Sequence, residues 1–281
     1  MIVDVHTHVF PPAMVERRES LAVADAGFAE LYGSPRARMA TAAELLASMD
    51  RAGVDVSVAA GFWWRSPELA SEHADYLLES AATSGGRFLP FVPVDLAAPD
   101  AGGRLRDLAE AGARGVGEVR PANQPLDGAG TDALLGRASR EFDLPVLVHA
   151  SEHVGHQYPG KGGGYVPGAL WSLVESQPVR VIAAHWGGGF PFHALMPEVR
   201  ALLDGGRLVF DTAASPLLYE PRVFTQALEL LGLDLVLWGS DFPLREQDED
   251  RAAVETALPD AAERAAVLGE NAARFLGLGA G

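Results

Sequence analysis

Histidines and acidic residues stand at the carboxyl ends of the apolar runs of this 281-residue chain. Imidazole and carboxylate groups are the ligands that hold zinc, manganese or iron in hydrolytic sites. Each residue alone is weak evidence, because a lone histidine at a strand end more often has a structural role. Together they predict a metal site. The residues are His6, His8, Glu118, His149, His185 and Asp241.

Short apolar runs alternate with segments of helical period along the chain, and they must position these side chains. The predicted strands are Ile2–His6, Val54–Ala60, Phe88–Val94, Gly115–Val119, Pro145–His149, Val179–His185, Leu208–Asp211 and Leu235–Trp238. The predicted helices are Ala42–Ala52, Glu68–Ala82, Gly103–Ala111, Asp132–Glu141, Gly168–Ser176, Ala194–Leu203 and Arg222–Leu231, followed by a helical tail to Leu276.

Eight strand–helix units predict an α/β fold, a (β/α)8 TIM barrel that forms one domain over residues 1–281. The strands are almost continuously apolar, which is typical of parallel strands covered on both faces. A doubly wound open sheet would carry a glycine-rich phosphate loop after its first strand, where this chain has His6-Thr7-His8. In a barrel the strand ends converge on one mouth, where active sites lie. We expect the long insert Pro11–Ala40 to be a loop with a short helix near this mouth.

Four segments resemble the amidohydrolase superfamily: D-V-H-T-H-V-F-P-P, L-P-V-L-V-H-A-S, V-I-A-A-H-W-G-G and L-V-L-W-G-S-D-F-P. The resemblance is greatest to the amidohydrolase-2 group, which includes aminocarboxymuconate-semialdehyde decarboxylase and related metal-dependent decarboxylases. It extends from Met1 to the closing G-E-N-A-A-R-F-L-G-L. The four motifs together are specific to the superfamily and much less specific about the reaction.

The resemblance implies that His6, His8, His149 and Asp241 bind a metal ion. His185 would be a further ligand or a catalytic acid–base. A divalent ion lowers the pKa of bound water to roughly 7, and Asp241 beside it could accept the proton and later return it. We expect one or two Zn²⁺ ions per chain, with Mn²⁺ or another divalent ion as alternatives.

Glu118 departs from the decarboxylase pattern, which is mononuclear and needs no carboxylate after the fourth strand. Binuclear members of the superfamily place a bridging carboxylate there, in a setting similar to Gly117-Glu118-Val119-Arg120. In that arrangement His6, His8 and Asp241 would hold one ion, while His149 and His185 would hold the other. The alternative is that Glu118 pairs with Arg120 or another nearby cation.

Two segments near the predicted mouth offer substrate contacts. The loop after the fifth strand contains His156, Tyr158 and Lys161, which could bind an anionic or carbonyl-bearing substrate, although its polar groups could also face water. After the second strand, Trp63 and Arg65 would suit a planar or carboxylated ligand. Here the alternative is that the tryptophans pack against the insert. Trp186, beside His185, is also expected to line the pocket.

Composition excludes several classes of function. With 22 basic and 38 acidic residues the net charge is −16, so a nucleic-acid binder is not expected. The chain has no cysteine, which excludes disulfides and metal–thiolate sites. It shows no signal peptide and no run of the ~18 apolar residues needed to cross a membrane. We therefore expect a cytoplasmic enzyme whose partner is a small molecule, and leave a homodimer open.

Three functions are compatible with these sequence features. The leading hypothesis is a metal-dependent hydrolase of a small, carboxylated amide, lactone or ester substrate, which a bridging Glu118 favours because it supports a bridging hydroxide. The alternative is non-oxidative decarboxylation of an aromatic or muconate-like acid, favoured by the H-T-H-V-F-P-P and W-G-S-D-F-P segments. The third is a non-enzymatic metal-binding or ligand-sensing barrel. The number of bound ions would discriminate between the first two hypotheses.

Overall fold

A computed structural model describes residues 1–121 and 128–279 of the chain. Eight parallel strands form one sheet in the order of the sequence, and each strand pairs with the next. The strands are β1 Val3–His8, β2 Val56–Ala60, β3 Phe88–Val92, β4 Gly115–Val119, β5 Val146–Val148, β6 Val181–Ala183, β7 Leu208–Asp211 and β8 Val236–Leu237.

Backbone hydrogen bonds between β1 and the segment that contains β8 close the sheet. The Val5 N–H donates to the Trp238 carbonyl at 3.0 Å, and the Asp241 N–H donates to the His6 carbonyl at 2.9 Å. The prediction of a (β/α)8 barrel is thereby confirmed. Closure also places the ends of β1 and β8 side by side, although their residues lie at opposite ends of the chain.

Helices follow most of the strands and cover the outside of the barrel. They are α1 Pro12–Glu16, α2 Arg18–Ala24, α3 Ala26–Tyr32, α4 Ala42–Ala52, α5 Pro67–Thr83, α6 Ala101–Glu110, α7 Gly128–Phe142, α8 Pro167–Ser176, α9 Ala184–Gly187, α10 Pro197–Leu203, α11 Ser215–Leu218, α12 Val223–Leu231, α13 Gln247–Ala257, α14 Ala261–Ala265 and α15 Asn271–Leu276. In the described part of the chain, no helix is long and apolar enough to span a bilayer. One domain over residues 1–281 stays a prediction.

The insert after β1 differs from the expected loop with a short helix, because it folds into the three helices α1 to α3. Asp25 caps α3 by accepting a hydrogen bond from the Phe28 N–H at 2.9 Å. The Phe28 ring stacks on Trp64 at 5.1 Å and meets Phe10 edge-on at 6.1 Å. Aromatic packing therefore holds the insert against the barrel mouth.

Strand β6 is shorter than predicted, because the backbone turns sharply just after it. It ends at Ala183, and His185 and Trp186 both adopt left-handed backbone angles, with φ of 55° and 58°. Non-glycine residues rarely adopt such angles, and where they do the surrounding structure imposes them. The turn lies at the strand end that carries a predicted ligand, His185.

Strand β5 shows how the barrel aims a side chain inward. Val146 and Val148 pack in the core cluster that includes residues of the outer helices, whereas Leu147 packs with strand residues such as Ile182 in a second cluster. Successive residues of a strand point to opposite faces, so position 149 is on the same side as Leu147. His149 therefore projects into the barrel just above this apolar layer.

A buried acid, Asp250, anchors α13 to the chain after β8. Its carboxylate accepts a hydrogen bond from Trp238 Nε1 at 3.1 Å, and Arg245 Nε lies 3.5 Å from its other oxygen. Burial, with the charge of Asp4 added, raises the pKa of Asp250 to about 7 in spite of Trp238 and Arg245. The ionised form is therefore disfavoured in the folded chain.

Replacing Asp250 with asparagine is expected to remove a pH dependence of stability. The folded-state pKa of about 7 exceeds the ordinary value of 3.8. The proton bound to Asp250 therefore contributes its full stability below pH 3.8, and this stability is lost as the pH rises through about 7. At pH 8 the Asp250→Asn chain should be more stable by on the order of 3 kcal/mol. Urea unfolding from pH 5 to 8 measures this, with exposed Asp248→Asn in the same helix as control. Equal pH slopes in Asp250→Asn and the parent chain would contradict it.

Candidate active site

The six predicted ligand residues meet at the mouth of the barrel. Their side chains form three overlapping groups of three, and within each group the donor atoms lie within 4.8 Å of one another. The groups are His6–His185–Asp241, His6–His8–Glu118 and Glu118–His149–His185. All six residues therefore belong to one continuous donor cluster, whose role as ligands stays a prediction.

The histidines of β1 each use one ring nitrogen to contact the surrounding protein. His6 Nδ1 lies 2.8 Å from Asp211 Oδ2, and His8 Nδ1 lies 3.3 Å from the Ala60 carbonyl oxygen. Because these oxygens only accept, both Nδ1 atoms carry the proton when the rings are neutral. Each Nε2 then presents a lone pair to the cluster, and the two Nε2 atoms lie 3.1 Å apart.

The other two histidines follow the same rule. His185 Nδ1 lies 3.1 Å from the Ala213 carbonyl oxygen, so its Nε2 lone pair faces the cluster. His149 is reversed: Nε2 lies 2.9 Å from the Gly160 carbonyl oxygen, and Nδ1 lies 3.0 Å from Glu118 Oε1. In proteins, metal-bound histidines typically donate their outer N–H to a carbonyl or carboxylate in this way.

The donor set fits a divalent metal ion. Lone pairs of neutral histidines point at each other and at the carboxylates of Glu118 and Asp241, an arrangement that repels unless a cation or a proton lies between the acceptors. Glu118 is part of this set through its contact with His149 at 3.0 Å, whereas Arg120 contacts Glu30 at 3.1 Å. Hard carboxylate and imidazole ligands suit ions such as Mn²⁺ and Zn²⁺.

Burial keeps two of the rings neutral. His8 and His185 are almost completely enclosed, and the cost of burying a charge lowers the pKa of His8 to about 3 and that of His185 to about 4. Neutral imidazoles are the form that binds metals. Both residues are therefore ready to accept an ion at neutral pH.

The buried carboxylates in and beside the donor cluster favour a positive charge in the site. Burial opposes a charge on His6, yet Asp211, Asp241 and Glu118 together raise the pKa of His6 to about 10. Burial raises the pKa of Asp241 to about 7, and the charges of Glu118 and Asp211 add to this effect. For Glu118 itself burial is outweighed by His149, which holds its pKa well below the usual range. A proton or a metal ion is needed to balance these buried charges.

A cavity of about 500 Å³ opens above the donor cluster. His8, Glu118, His149, His185 and Asp241 lie in its lining, so a bound molecule can touch the cluster directly. The remaining wall is mostly aromatic and aliphatic. Its members include Leu31, Tyr32, Phe62, Trp63, Leu217 and Leu218. The volume falls in the range of sites for small organic ligands.

Three of the predicted substrate contacts line this cavity: Trp63, His156 and Tyr158. The Trp63 ring lies 5.5 Å from that of His149, and its buried indole N–H has no hydrogen-bond acceptor among the described residues. Tyr158 contacts Glu152 through its hydroxyl at 3.2 Å. Trp63 therefore lines the cavity beside His149 and holds a buried N–H that is not satisfied by the described residues.

Lys161 lies in the predicted loop, but its ammonium group points into the loop and not into the cavity. Nζ donates to the carbonyl oxygens of Val154 and His156, both at 2.6 Å, and lies 3.2 Å from Glu152 Oε1. These contacts tie the loop to itself. The expected contact of Lys161 with an anionic substrate does not fit this position.

Arg65 and Trp186 also lie away from the described lining of the cavity. Arg65 is exposed. Trp186 is completely buried, and its Nε1 donates to Ser215 Oγ at 2.7 Å while its ring packs edge-on against Phe224. The left-handed turn at His185 directs the two neighbouring side chains to different surroundings. The expectation that Trp186 lines the pocket does not fit this packing.

Two residues of the site were not singled out as such from the sequence. Asp211, at the end of β7, orients His6. Tyr32 of α3 lines the cavity and packs against Phe10 at 5.0 Å. Tyr32 lies inside the insert, whose sequence does not show which of its side chains face the barrel mouth.

A family model described as amidohydrolase matches residues 3–278. The chain belongs to the amidohydrolase family. This confirms the resemblance that the strand-end motifs carry. No curated protein sequence matches this amidohydrolase.

Solved structures with the same fold are distant in sequence. A 5-carboxyvanillate decarboxylase from Novosphingobium aromaticivorans, complexed with manganese, has a TM-score of 0.77 at 16% identity and covers 99% of this chain and 96% of its own. A 2,6-dihydroxybenzoate decarboxylase from Rhizobium has a TM-score of 0.73 at 19% identity, with 99% and 98% covered. A probable 2-pyrone-4,6-dicarboxylic acid hydrolase from Acinetobacter baumannii has a TM-score of 0.63 at 16% identity, with 99% of each chain covered.

The prediction of hydrolysis as the leading function is wrong. Most of the similar structures are decarboxylases of aromatic acids, which favours the alternative that the sequence analysis kept open. Hydrolysis was expected because Glu118 could act as a bridging carboxylate. In this amidohydrolase Glu118 contacts His149 directly, so its presence alone does not indicate a hydrolytic site.

Proposed function

We propose that this amidohydrolase is a non-oxidative decarboxylase of an aromatic carboxylic acid and depends on a divalent metal ion. The observation that carries the proposal is the donor cluster at the base of a cavity with an aromatic and aliphatic wall. Decarboxylases with the same fold add support. Three of the similar structures contain manganese, so we propose Mn²⁺ in place of the zinc first expected.

The cavity suits a ring that carries a carboxylate. Phe62, Trp63 and Tyr32 offer aromatic faces and edges, and Leu217 and Leu218 offer aliphatic contacts. The free N–H of Trp63 can donate to an oxygen substituent on the ring. A carboxylate at the base would point toward the donor cluster, where the charge of the metal ion compensates it.

The four histidines of the cluster and Glu118 would hold the metal, with Asp241 beside it, and the metal would supply positive charge to bind the acid and to stabilise negative charge on its oxygens. Decarboxylation replaces the bond between the ring carbon and the carboxylate with a bond to hydrogen. A proton adds to that ring carbon, the electron pair of the broken bond returns to the ring, and carbon dioxide leaves. No oxidant or reductant takes part.

Asp241 is the group that we assign to this proton transfer. Its side chain is 13% exposed and lines the cavity, with Oδ1 at 3.6 Å from His8 Nε2, whereas Glu118 is 2% exposed and held by His149. Asp241 would give its proton to the ring carbon and take another from solvent after carbon dioxide has left. His185, which also lines the cavity, is the alternative donor.

The proposal predicts release of carbon dioxide without added cofactors other than the metal. The chain loaded with Mn²⁺ should convert members of a panel of hydroxybenzoic acids to the corresponding phenols without oxygen, and a chelator should stop the reaction until Mn²⁺ is returned. In D₂O the product should carry one deuterium at the carbon that lost the carboxylate. Mass spectrometry of the product measures both results.

Methyl esters of the same acids are the matched controls. They have no free carboxylate to lose, so a decarboxylase leaves them unchanged, whereas a hydrolase releases methanol. Methanol from the esters without carbon dioxide from any acid would refute the proposed function.

A further inference from the structure

The backbone of one residue, Gly160, connects the insert to a residue of the donor cluster. Its N–H donates to Glu30 Oε1 at 2.8 Å, and its carbonyl oxygen accepts from His149 Nε2 at 2.9 Å. Glu30 lies in α3, and His149 follows β5. The two ends of this short chain of contacts therefore belong to the cavity wall and to the proposed metal site.

Arg120 contacts both Glu30 and the backbone of Gly160. Its guanidinium pairs with both oxygens of Glu30, at 3.1 Å and 3.3 Å, and Nη2 also contacts the carbonyl oxygens of Gly160, at 3.4 Å, and Gly162. Arg120 is 3% exposed. A bidentate pair between arginine and carboxylate has a defined geometry. Because both partners also contact the backbone of Gly160, the pair restricts the position of that residue.

Gly160 lies close to α3. Its φ is +89°, and a Cβ at this position would lie 2.9 Å from Leu31 Cδ2. The residue is held through its N–H by Glu30 and through its carbonyl oxygen by Arg120 and His149. A displacement of α3 that breaks the contact with Glu30 therefore loosens the carbonyl that His149 contacts.

The contact selects the tautomer of His149. Because a carbonyl oxygen only accepts, the neutral ring carries its proton on Nε2, and Nδ1, which lies 3.0 Å from Glu118 Oε1, is the nitrogen that can bind a metal ion. Without the Gly160 carbonyl, Nδ1 could carry the proton and donate to Glu118 instead. A protonated Nδ1 cannot bind a metal ion.

We propose that Glu30 is a positioning residue that acts on His149 through Arg120 and the backbone of Gly160. Docking of α3 against the barrel and the affinity for the metal ion are then coupled. The proposal rests on the metal site of the proposed function and not on the reaction. Coupling of this kind is reciprocal: if docking of α3 strengthens metal binding, the metal must stabilise docked α3 to the same degree. Because α3 also places Leu31 and Tyr32 in the cavity wall, a ligand against this wall would act on the same coupling.

Calorimetric titration of the metal-depleted full chain with Mn²⁺ tests the coupling. Glu30→Gln keeps the side-chain volume and weakens the pair with Arg120, and we expect the Kd for Mn²⁺ to rise about tenfold, as for other groups that orient a ligand. Glu19→Gln, an exposed acid of the same insert, is the matched control and should leave the Kd unchanged. Arg120→Lys, which keeps the charge but loses the bidentate geometry, should resemble Glu30→Gln.

A double-mutant cycle separates positioning of His149 from general destabilisation. In a His149→Ala background the residue on which Glu30 acts is gone, so Glu30→Gln should change the Kd by less than about twofold. An unchanged Kd in Glu30→Gln, or an equal loss in both backgrounds, overturns the proposal. Thermal unfolding of each metal-free chain verifies that the variants fold.

Hydrogen exchange measures the reciprocal effect and needs no His149 variant. Mn²⁺ should slow exchange of the α3 amides in the parent chain and have little effect on them in Glu30→Gln. Equal protection by Mn²⁺ in both chains overturns the proposal. Since neither measurement uses a substrate, the coupling can hold in a chain that decarboxylates none of the acids tested, and it can fail in an active enzyme.

Discussion

Replacing His6 with alanine is expected to weaken Mn²⁺ binding by at least about 100-fold and to abolish release of carbon dioxide. His6 is completely buried and belongs to two of the three donor groups, so its loss removes a donor atom from both. The substitution also leaves the Asp211 carboxylate without the ring N–H that now contacts it at 2.8 Å. A buried carboxylate without its partner is costly, and some loss of stability should accompany the loss of metal.

His73 provides a matched control for this substitution. It is as deeply buried as His6 but lies outside the cluster, with Nδ1 accepting from Trp64 Nε1 at 3.0 Å and Nε2 at 2.7 Å from the Val9 carbonyl oxygen. His73→Ala should lower the unfolding temperature and leave the metal content unchanged. Elemental analysis of both variants, each checked by thermal unfolding, decides the matter. A full complement of Mn²⁺ in His6→Ala would remove His6 from the ligand set.

Replacing Asp241 with asparagine is expected to lower kcat by about 10²- to 10⁴-fold, because the asparagine amide cannot deliver a proton to the ring carbon. Asparagine keeps the shape of the side chain and one oxygen that can face the metal, so Mn²⁺ binding should fall much less than in His6→Ala. The reverse reaction of the product offers a second readout. The parent chain should exchange the ring proton of the product with deuterium from solvent, and Asp241→Asn should not.

His185→Gln tests the alternative proton donor in the same assay. If Asp241 is the donor, His185→Gln should still exchange the ring proton when saturating Mn²⁺ compensates for any loss of affinity. Continued exchange in Asp241→Asn, together with its loss in His185→Gln, would transfer the role to His185. Single-turnover measurements keep product release from obscuring the result.

The alternation of eight apolar runs with helical segments was sufficient to predict the barrel, and the residue types at the strand ends were sufficient to predict the members of the donor cluster. His6 and His8 alternate on one strand, and His149 follows a run in which Leu147 faces inward, so the period of two aims them into the barrel. This inference needs only local sequence and the convergence of parallel strands. It is independent of the conformations of the loops.

The contacts that orient those ligands could not be read from the sequence. Ala60, Gly160 and Ala213 act through backbone carbonyl oxygens, which any residue possesses, and only the folded chain shows which carbonyl lies beside which ring. The direction of the Lys161 side chain could not be read from the sequence for a similar reason. A glycine-rich loop can direct a long side chain into the cavity or back onto its own carbonyls, and its sequence permits both.

The closure of the barrel between β1 and the end of β8 sets the order in which the site is completed during synthesis. His6 and His8 leave the ribosome more than 230 residues before Asp241, and at roughly 5–20 residues per second the interval between them is on the order of ten to fifty seconds. Throughout this interval β1 lacks its contact with the segment that follows β8, since the Asp241 N–H is the donor to the His6 carbonyl. The full donor set therefore forms only after Asp241 has been synthesised, and a nascent chain that stops before Asp241 exposes two histidines without one of their carboxylates.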